Sequence, residues 1–249
     1  MHAYLSGYDF GYTWPWTHGH LVLACALAAA ALLSRKWLWP WGSAVLFALA
    51  AWAIAGFLIV QLVFGFNRML PMPTPRFLAS GQGRVLDLGC GSGRATLMVG
   101  LARPAVQLSA LDNFSAEYIR DNGEDLLRRN LRSGGIESRV QIVRADMRQI
   151  PASDGEFDGV VSTYAIDHLN REGSRRTLSE VSRVLKPGGE FLMMIIRADA
   201  WLKAAYGPLL IHQRRVGPGF WPGMLQDAGL RVIEEGVSPG SEYFLCRKE

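Results

Sequence analysis

The sequence predicts an α/β domain built on a mostly parallel sheet and preceded by a pair of apolar helices. Three observations support this prediction. Short apolar strands alternate with helical stretches from residue 84 onwards, a pattern typical of a parallel sheet covered by helices on both faces. A glycine-rich loop follows the first of these strands at residues 89–93. The first 67 residues contain only three charged side chains, Asp9, Arg35 and Lys36.

Two apolar runs in the N-terminal region predict membrane-spanning helices. The first, residues 21–33, has 13 residues, and the second, residues 42–65, has 24 residues interrupted by the polar side chains of Ser43 and Gln61. A helix of about 20 apolar residues crosses a hydrocarbon core of about 30 Å. The second run meets this length, and the first meets it if residues 18–20 are included. We therefore expect a membrane hairpin with helices over about 18–34 and 42–66.

Tryptophans at the ends of these runs support a membrane location. Trp14 and Trp16 precede the first run, and Trp37, Trp39 and Trp41 lie between the two, where indole rings favour the lipid–water interface. A signal peptide is an alternative for the first run, but residues 1–20 contain no Lys or Arg and a second apolar run follows. A single span, an in-plane insertion and a buried helical pair of a soluble protein also remain open.

Prolines mark the end of the apolar region. Pro71, Pro73 and Pro75 alternate with other residues, and this spacing disfavours helix and favours extended chain. We therefore divide the chain into a membrane module at residues 1–66, a proline-rich linker at 67–80 and an α/β domain at 81–249.

The α/β domain is predicted to contain seven strands. They are expected at residues 85–88, 106–111, 140–143, 157–162, 191–196, 231–235 and 243–247. Helices are expected at residues 94–102, 116–132, 171–185 and 222–228. The last two strands follow one another closely and are expected to close the sheet.

The loop after the first strand is the strongest functional signal. It reads Val85-Leu86-Asp87-Leu88-Gly89-Cys90-Gly91-Ser92-Gly93. Glycines allow a ligand to approach the backbone closely, and the N-terminus of the following helix favours an anionic group. A dinucleotide-binding loop starting at Gly89 requires glycine at position 94, where this chain has Arg94. Asp87 would repel a pyrophosphate and attract an ammonium group, which argues against a dinucleotide.

With this loop the sequence resembles the class I methyltransferase family, and the resemblance runs from about residue 84 to the C-terminus. Further landmarks follow in the family's order. Asp112 ends the second strand, Asp146-Met147 follows the third, residues 157–161 match the fourth strand, and residues 183–189 match the turn into the fifth. The resemblance implies a Rossmann-like domain with a mostly parallel seven-stranded sheet, S-adenosylmethionine as cofactor, and methyltransferase activity.

The resemblance also implies which residues contact the cofactor. In the family, the acid after the second strand bonds both ribose hydroxyls, and the pair after the third strand contacts adenine. The implied cofactor-binding set is Asp87, Gly89, Cys90, Gly91, Gly93, Asp112, Asn113, Asp146 and Met147. Taken alone, Asp112 could be a solvated turn residue and Asp146 could cap its local turn or Arg148. The ordered landmarks favour the cofactor role.

The methyl acceptor is expected at the end of the fourth strand, beside Tyr164 and His168, because ligands of this fold bind at the carboxyl ends of the strands. The sulfonium is already activated, so a base is needed only where the acceptor must lose a proton. His168 is the candidate base, since an imidazole titrates at about 6.5, and Tyr164 is a candidate acceptor contact. Many family members carry a similar His-Leu pair there as scaffold. Residues 198–221 include the aromatic residues Trp201, Tyr206, Phe220 and Trp221, and this stretch could line an apolar pocket or lie on lipid.

Composition limits the classes of binding partner that we expect. The net charge of +4 is small and dispersed, so no nucleic acid is expected. The three cysteines, Cys25, Cys90 and Cys246, form no ligand cluster, so no metal site is expected. The expected partners are the lipid bilayer and a small lipophilic acceptor, because a tether concentrates the site near membrane-dissolved molecules. The hairpin could also support a homo-oligomer.

Orientation and three alternatives stay open at this stage. The positive charges flanking the hairpin barely decide its orientation, whereas the need for a cytosolic cofactor favours an α/β domain facing the cytoplasm. The alternatives are a methyltransferase of a soluble small molecule with a purely localising tether, a non-catalytic S-adenosylmethionine-binding membrane protein, and a membrane adaptor. Methyl transfer to an oxygen, sulfur or nitrogen atom of a lipid or other small lipophilic acceptor is the favoured interpretation.

Overall fold

The computed structural model describes residues 7–37, 40–197, 219–238 and 240–249. Most of the aromatic stretch that was expected to cover the acceptor, residues 198–218, lies outside this part of the chain. Of its named aromatic residues, Phe220 and Trp221 are described, and Trp221 is buried in the core.

A seven-stranded sheet forms the centre of the α/β domain, in the order β3-β2-β1-β4-β5-β7-β6. Its strands are β1 Gln82–Leu88, β2 Ala105–Asp112, β3 Val140–Arg144, β4 Phe157–Thr163, β5 Leu185–Ile196, β6 Leu230–Ser238 and β7 Ser241–Lys248. The first five pair in parallel, and β7 is antiparallel to both β5 and β6. The predicted mostly parallel seven-stranded sheet is confirmed.

Helices cover both faces of this sheet. They are α3 Arg94–Ala102, α4 Glu124–Ser133, α5 Arg171–Val184 and α6 Phe220–Asp227. Successive residues of β1 point to opposite faces, as alternation along a strand requires: Val85 joins a core cluster with Leu97 of α3, and Leu86 joins a second cluster with Leu178 of α5. The order of strands places the reversal of the sheet between β1 and β4, where open α/β sheets bind ligands.

The helix predicted over residues 116–132 is wrong in its first half. Residues 117–123 form turns and a single bridge, and α4 begins at Glu124. Asp121 has a φ of 54°, a left-handed conformation that a helix does not accept. The side chain of Asn122 donates to the carbonyl oxygen of Ala116 at 3.1 Å, so local side-chain bonding replaces the first helical turns.

The N-terminal apolar region forms two packed helices. Helix α1 is Trp14–Ser34 and helix α2 is Pro40–Ile59, continued by a π-helical turn at Val60–Phe64. The first therefore begins about one turn earlier than expected. A Cβ atom added to Gly56 would lie 2.5 Å from Cδ2 of His20, so glycine permits the close approach of α2 to α1. Segments Trp14–Lys36 and Trp41–Phe64 are long and apolar enough to cross a membrane, although core helices of soluble proteins can pass that same test.

Both segments that flank the hairpin pack onto the α/β domain. Phe10 is fully buried in the same cluster as Leu97, and its carbonyl oxygen accepts from Oγ of Ser92 at 3.0 Å. In the predicted linker, residues 75–80 form turns and Phe77 is fully buried. Arg103 donates to the carbonyl oxygens of Pro75 and Phe77. The expectation of an extended connector is therefore wrong for residues 75–80, because apolar side chains there reach the core.

Candidate functional site

A cavity of about 250 Å³ opens at the carboxyl ends of β1, β2 and β4. Nine of the eleven residues predicted for the site line it: Gly89, Cys90, Gly91, Asp112, Asn113, Asp146, Met147, Tyr164 and His168. The other two, Asp87 and Gly93, lie behind the glycine loop. Sequence reasoning therefore selected one contiguous surface. The role of each residue in binding stays a prediction.

The glycine loop adopts a backbone that other residues rarely accept. Gly89, Gly91 and Gly93 have φ values of 79°, 47° and 93°, all in the left-handed region. A Cβ atom on Gly89 would lie 2.4 Å from Cβ of Ala165, and one on Gly93 would lie 2.6 Å from Cδ1 of Leu127. Gly89 is therefore needed for the approach of the loop to β4, and Gly93 for the packing of α3 against α4.

Asp112 supports this loop from the end of β2. One of its oxygens accepts from the N–H of Gly91 at 2.8 Å, and the other accepts from the N–H of Phe114 at 2.6 Å. The carboxylate lines the cavity while it holds two backbone segments. Asn113 makes a similar local turn, since its Oδ1 accepts from the N–H of Ser115 at 3.0 Å. Asp112 therefore supports a local turn and also presents its carboxylate to the cavity.

Asp146 is engaged by its neighbour. The guanidinium of Arg148 donates to both carboxylate oxygens, at 2.9 and 2.5 Å, and the Arg148 N–H donates to Oδ1 at 2.8 Å. These bonds from Arg148 hold the pKa of the Asp146 carboxyl below its usual range. The predicted alternative of an Asp146–Arg148 pair is therefore observed. Both residues still line the cavity.

Asp87 is fully buried behind the loop and does not line the cavity. Its Oδ2 accepts from Oγ1 of Thr96 at 2.5 Å, and its Oδ1 has no hydrogen-bond partner in the described part of the chain. Burial raises the pKa of this carboxyl to about 7, and the nearby charge of Asp112 raises it as well. The expected contact of Asp87 with a ligand ammonium group stays a prediction.

The two acceptor-side residues differ in environment. Tyr164 has a φ of 53°, and such strain in a bulky residue often marks a functional position. Its hydroxyl shares a short hydrogen bond with Oγ of Ser241, and burial raises the pKa of the phenol, so it stays protonated at neutral pH. His168 is exposed at the cavity rim, where its ring stacks on Tyr118 with centroids 5.7 Å apart.

Tyr12, Arg94 and Tyr118 are among the cavity residues that were absent from the predicted set. Arg94 directly follows the glycine loop, and this position was a signal that could have been used. Tyr118 lies in the segment wrongly predicted as helix. Tyr12 precedes the first apolar helix and is far from every motif, so no pattern in the sequence indicates it. Its ring lies over the guanidinium of Arg94, at 5.8 Å from Cζ to the ring centroid.

Comparison with known proteins identifies the type of domain. A family described as "Methyltransferase domain" matches residues 85–189. Over 153 residues the chain is 31% identical to a sarcosine/dimethylglycine N-methyltransferase of Halorhodospira halochloris, which covers 60% of this chain and 52% of that protein. The α/β part of this chain therefore carries a methyltransferase domain, and its resemblance to the class I S-adenosylmethionine-dependent methyltransferases is confirmed. The chain is also 29% identical over 134 residues to a ubiquinone/menaquinone biosynthesis C-methyltransferase of Syntrophotalea carbinolica, covering 53% of this chain and 52% of that protein.

Solved structures agree in fold. The structure of an O-methyltransferase family protein from Burkholderia thailandensis has a TM-score of 0.57 and 17% identity, covering 93% of this chain and 70% of the other chain. That coverage extends into the N-terminal helices. The chain spans about half the length, or less, of the first curated relatives it matches.

The cavity fits S-adenosylmethionine, the cofactor of this family. Gly89 and Gly91 expose backbone without side chains, which permits close contact. Asp112 and Asp146 would accept hydrogen bonds from hydroxyl and amino groups, and Met147 with Ile119 offers apolar surface for a base. When bound, the cofactor supplies a methyl group on a positively charged sulfur. The residues that line the cavity would bind and orient it and exclude water.

Proposed function

We propose that this chain transfers a methyl group from S-adenosylmethionine to an oxygen or sulfur atom of a lipophilic acceptor held in a membrane. One observation carries the proposal. Tyr12 lines the cavity, and it stands two residues before Trp14, where an apolar helix begins. The segment that contains Tyr12 therefore connects the cavity to a pair of apolar helices suited to lipid.

The outward surface of the helix pair supports membrane insertion. Trp14 is 61% exposed and Leu33 is 79% exposed. Further large apolar side chains are exposed along both helices, namely Leu21, Val22, Leu23, Leu32, Trp41, Val45, Phe47, Leu49, Trp52, Ile54, Leu58 and Leu62. An apolar surface of this extent is unfavourable in water and favourable in lipid. The helices form an antiparallel pair, so a membrane that contains them would have the α/β domain on one side, and the cofactor supply favours the cytoplasmic side.

His168 is the proposed proton acceptor and Tyr164 the proposed contact of the acceptor molecule. As the acceptor oxygen or sulfur bonds the methyl carbon, the methyl–sulfur bond breaks with its electron pair going to the sulfur, and the acceptor proton passes to the His168 imidazole. The exposed ring can then release that proton to water. The protonated phenol of Tyr164 can orient the acceptor by hydrogen bonding.

The function is tested by methyl transfer into membrane extract. Full-length protein in liposomes receives S-adenosylmethionine with a labelled methyl group, and the labelled product is identified. Label is expected in a lipid-soluble product, and His168→Gln is expected to lower the rate. Retention of full-length protein in the membrane fraction through a carbonate wash is expected in parallel. Binding of S-adenosylhomocysteine with no transfer to any fraction would show instead a non-catalytic binding protein.

A soluble acceptor is the second candidate, and one observation favours it. A relative is named for sarcosine and dimethylglycine, which are small water-soluble molecules. In this case α1 and α2 would pack against a second copy of the chain instead of lipid. Extraction by carbonate, a dimer in detergent-free buffer and labelled water-soluble product would together support it. The full chain is used throughout, because removal of residues 1–67 would take away the buried side chain of Phe10.

A further inference from the structure

Five rings form a continuous stack from the cavity to the π-helical turn that follows α2. His168 stacks on Tyr118 at 5.7 Å, Tyr118 on Tyr12 at 6.1 Å, and Tyr12 on Phe66 at 4.8 Å between ring centroids. Phe66 then stacks on Phe64, the last residue of the π-helical turn, at 5.5 Å. The first three rings line the cavity. The stack therefore provides an unbroken apolar wall between the hairpin and the reaction site.

The catalytic domain holds the end of the hairpin in place at this point. Arg94 donates to the carbonyl oxygens of Arg68 and Gly65, at 3.1 and 3.2 Å. The turn between β6 and β7 lies against the π-helical turn that follows α2, because a Cβ atom on Gly240 would be 3.1 Å from Cδ1 of Phe64. These contacts fix the helix pair relative to the cavity.

The beginning of α1 lies beside the π-helical turn that follows α2. Gln61 donates from Nε2 to the carbonyl oxygen of Thr17 at 2.9 Å, and Asn67 donates from Nδ2 to that of Tyr12 at 3.1 Å. Two residues of chain extend at most about 7 Å, so Tyr12 lies within that distance of the start of α1. The headgroup layer on each side of a bilayer is about 5–8 Å thick. A membrane that contains the hairpin therefore brings its headgroups to the cavity wall.

We propose that the cavity opens into the headgroup layer, and that the acceptor is an amphipathic lipid whose methylated atom lies at headgroup depth. This proposal rests on the proposed membrane function. The apolar part of the acceptor stays against the rings of Phe64 and Phe66, while its polar group passes Tyr12 and reaches His168. A lipid that carries its acceptor atom deep in the hydrocarbon region would not fit.

The experiment measures the depth of two matched positions. Ser115 is exposed at the cavity wall, and Ser80 is exposed just before the amino end of β1, at the opposite edge of the sheet. Ser115→Cys and Ser80→Cys are each made in a Cys25→Ser background and labelled with nitrobenzoxadiazole. Cys90 and Cys246 are buried and are not expected to label.

Native Cys25, exposed on α1, reports insertion of the hairpin in the otherwise unchanged protein. Vesicles of phosphatidylcholine and phosphatidylglycerol carry a nitroxide on the headgroup or at mid-chain.

Headgroup nitroxide is expected to quench the label at position 115 several-fold more than the label at position 80, and mid-chain nitroxide is expected to quench Cys25. Quenching at Cys25 with equal, weak quenching at 115 and 80 would overturn the inference and leave the membrane function standing. Absence of quenching at Cys25 would overturn both.

A second measurement tests the ring stack as a route. Phe66→Ala removes a ring that lies outside the cavity lining, and Leu62→Ala removes an exposed side chain of the neighbouring turn. Phe66→Ala is expected to lower labelled methyl transfer into membrane extract several-fold at limiting acceptor, with unchanged S-adenosylhomocysteine affinity. Leu62→Ala is expected to leave both unchanged. Equal transfer by the two variants would exclude this route.

Discussion

The guanidinium of Arg94 donates to the main-chain carbonyl oxygen of Gly65. This bond joins the first helical residue after the cofactor loop to the end of the hairpin, across 29 positions of sequence. The same side chain lies beneath the rings of Phe10 and Tyr12 and is almost fully buried. The hairpin is therefore part of the architecture of the site and not an independent appendage.

Arg94→Met is expected to destabilise the protein by about 2–4 kcal/mol, because two carbonyl oxygens lose a charged, buried donor. The measurement is thermal unfolding of full-length protein in detergent. Arg175→Met is the matched control, since Arg175 is exposed and pairs with Glu172 on the surface of α5, where such pairs contribute about 0–1 kcal/mol. Equal stability of the two variants would contradict the role of Arg94.

Gly89→Ala is expected to abolish or strongly reduce S-adenosylhomocysteine binding, because its Cβ atom would lie 2.4 Å from Cβ of Ala165 and 3.0 Å from Cε of Met147. Calorimetry measures the affinity. Gly188→Ala is the control. Its φ is 74°, and no atom of the described residues beyond its chain neighbours lies within 4 Å of its added Cβ, so it carries a similar backbone cost without the collision. Comparable loss of binding in both variants would mean that the collision is irrelevant.

Asp112→Asn is expected to weaken S-adenosylhomocysteine binding by about 1–3 kcal/mol. An amide offers one acceptor oxygen where the carboxylate now serves the N–H groups of both Gly91 and Phe114, so the loop loses support and the cofactor loses an acceptor. Asp121→Asn, at an exposed turn, is expected to leave the affinity unchanged. An unaltered affinity in Asp112→Asn would remove this residue from the cofactor site.

Asp87→Asn is expected to flatten the pH dependence of stability. The folded pKa of Asp87, about 7, exceeds its ordinary value of 3.8 because of burial, so the native state holds the proton more tightly than the unfolded state. This contribution is fully present below about pH 4 and is lost as pH rises to about 7, at a cost of a few kcal/mol. Asn cannot ionise. The melting temperature of the variant relative to the natural protein should therefore rise across this range, and a constant difference would refute the assignment.

Local patterns were sufficient for most of the sheet. All seven strands were predicted near their observed positions, because alternating or continuous apolar residues report burial of a strand directly. The helix over residues 116–132 failed in its first half, where Asp121 and Asn122 form local bonds that compete with helix. Composition alone does not reveal such competition, since both residues are tolerated in helices at modest cost.

The candidate site was likewise predicted in part from local patterns. The loop from Gly89 to Gly93, Asp112 and Asp146 stand at strand ends, so knowledge of the strands places them together at one edge. The turn role of Asp112 and the pairing of Asp146 with Arg148 were weighed from sequence as alternatives, and both local contacts are present. The burial of Asp87 away from the cavity depends on the side chains that close around it, and it was not foreseen.

The sequence by itself determined the α/β order, the glycine loop, the methyltransferase family and the apolar character of the first 67 residues, because each is written in neighbouring residues or in short spacings. Only the tertiary structure decided that Tyr12, Arg94 and Tyr118 share one cavity. Contacts between residues distant in sequence depend on how separate segments of the chain pack against the core. Phe10 and Phe77 bury their rings in this core, and this burial brings both ends of the hairpin to the cavity.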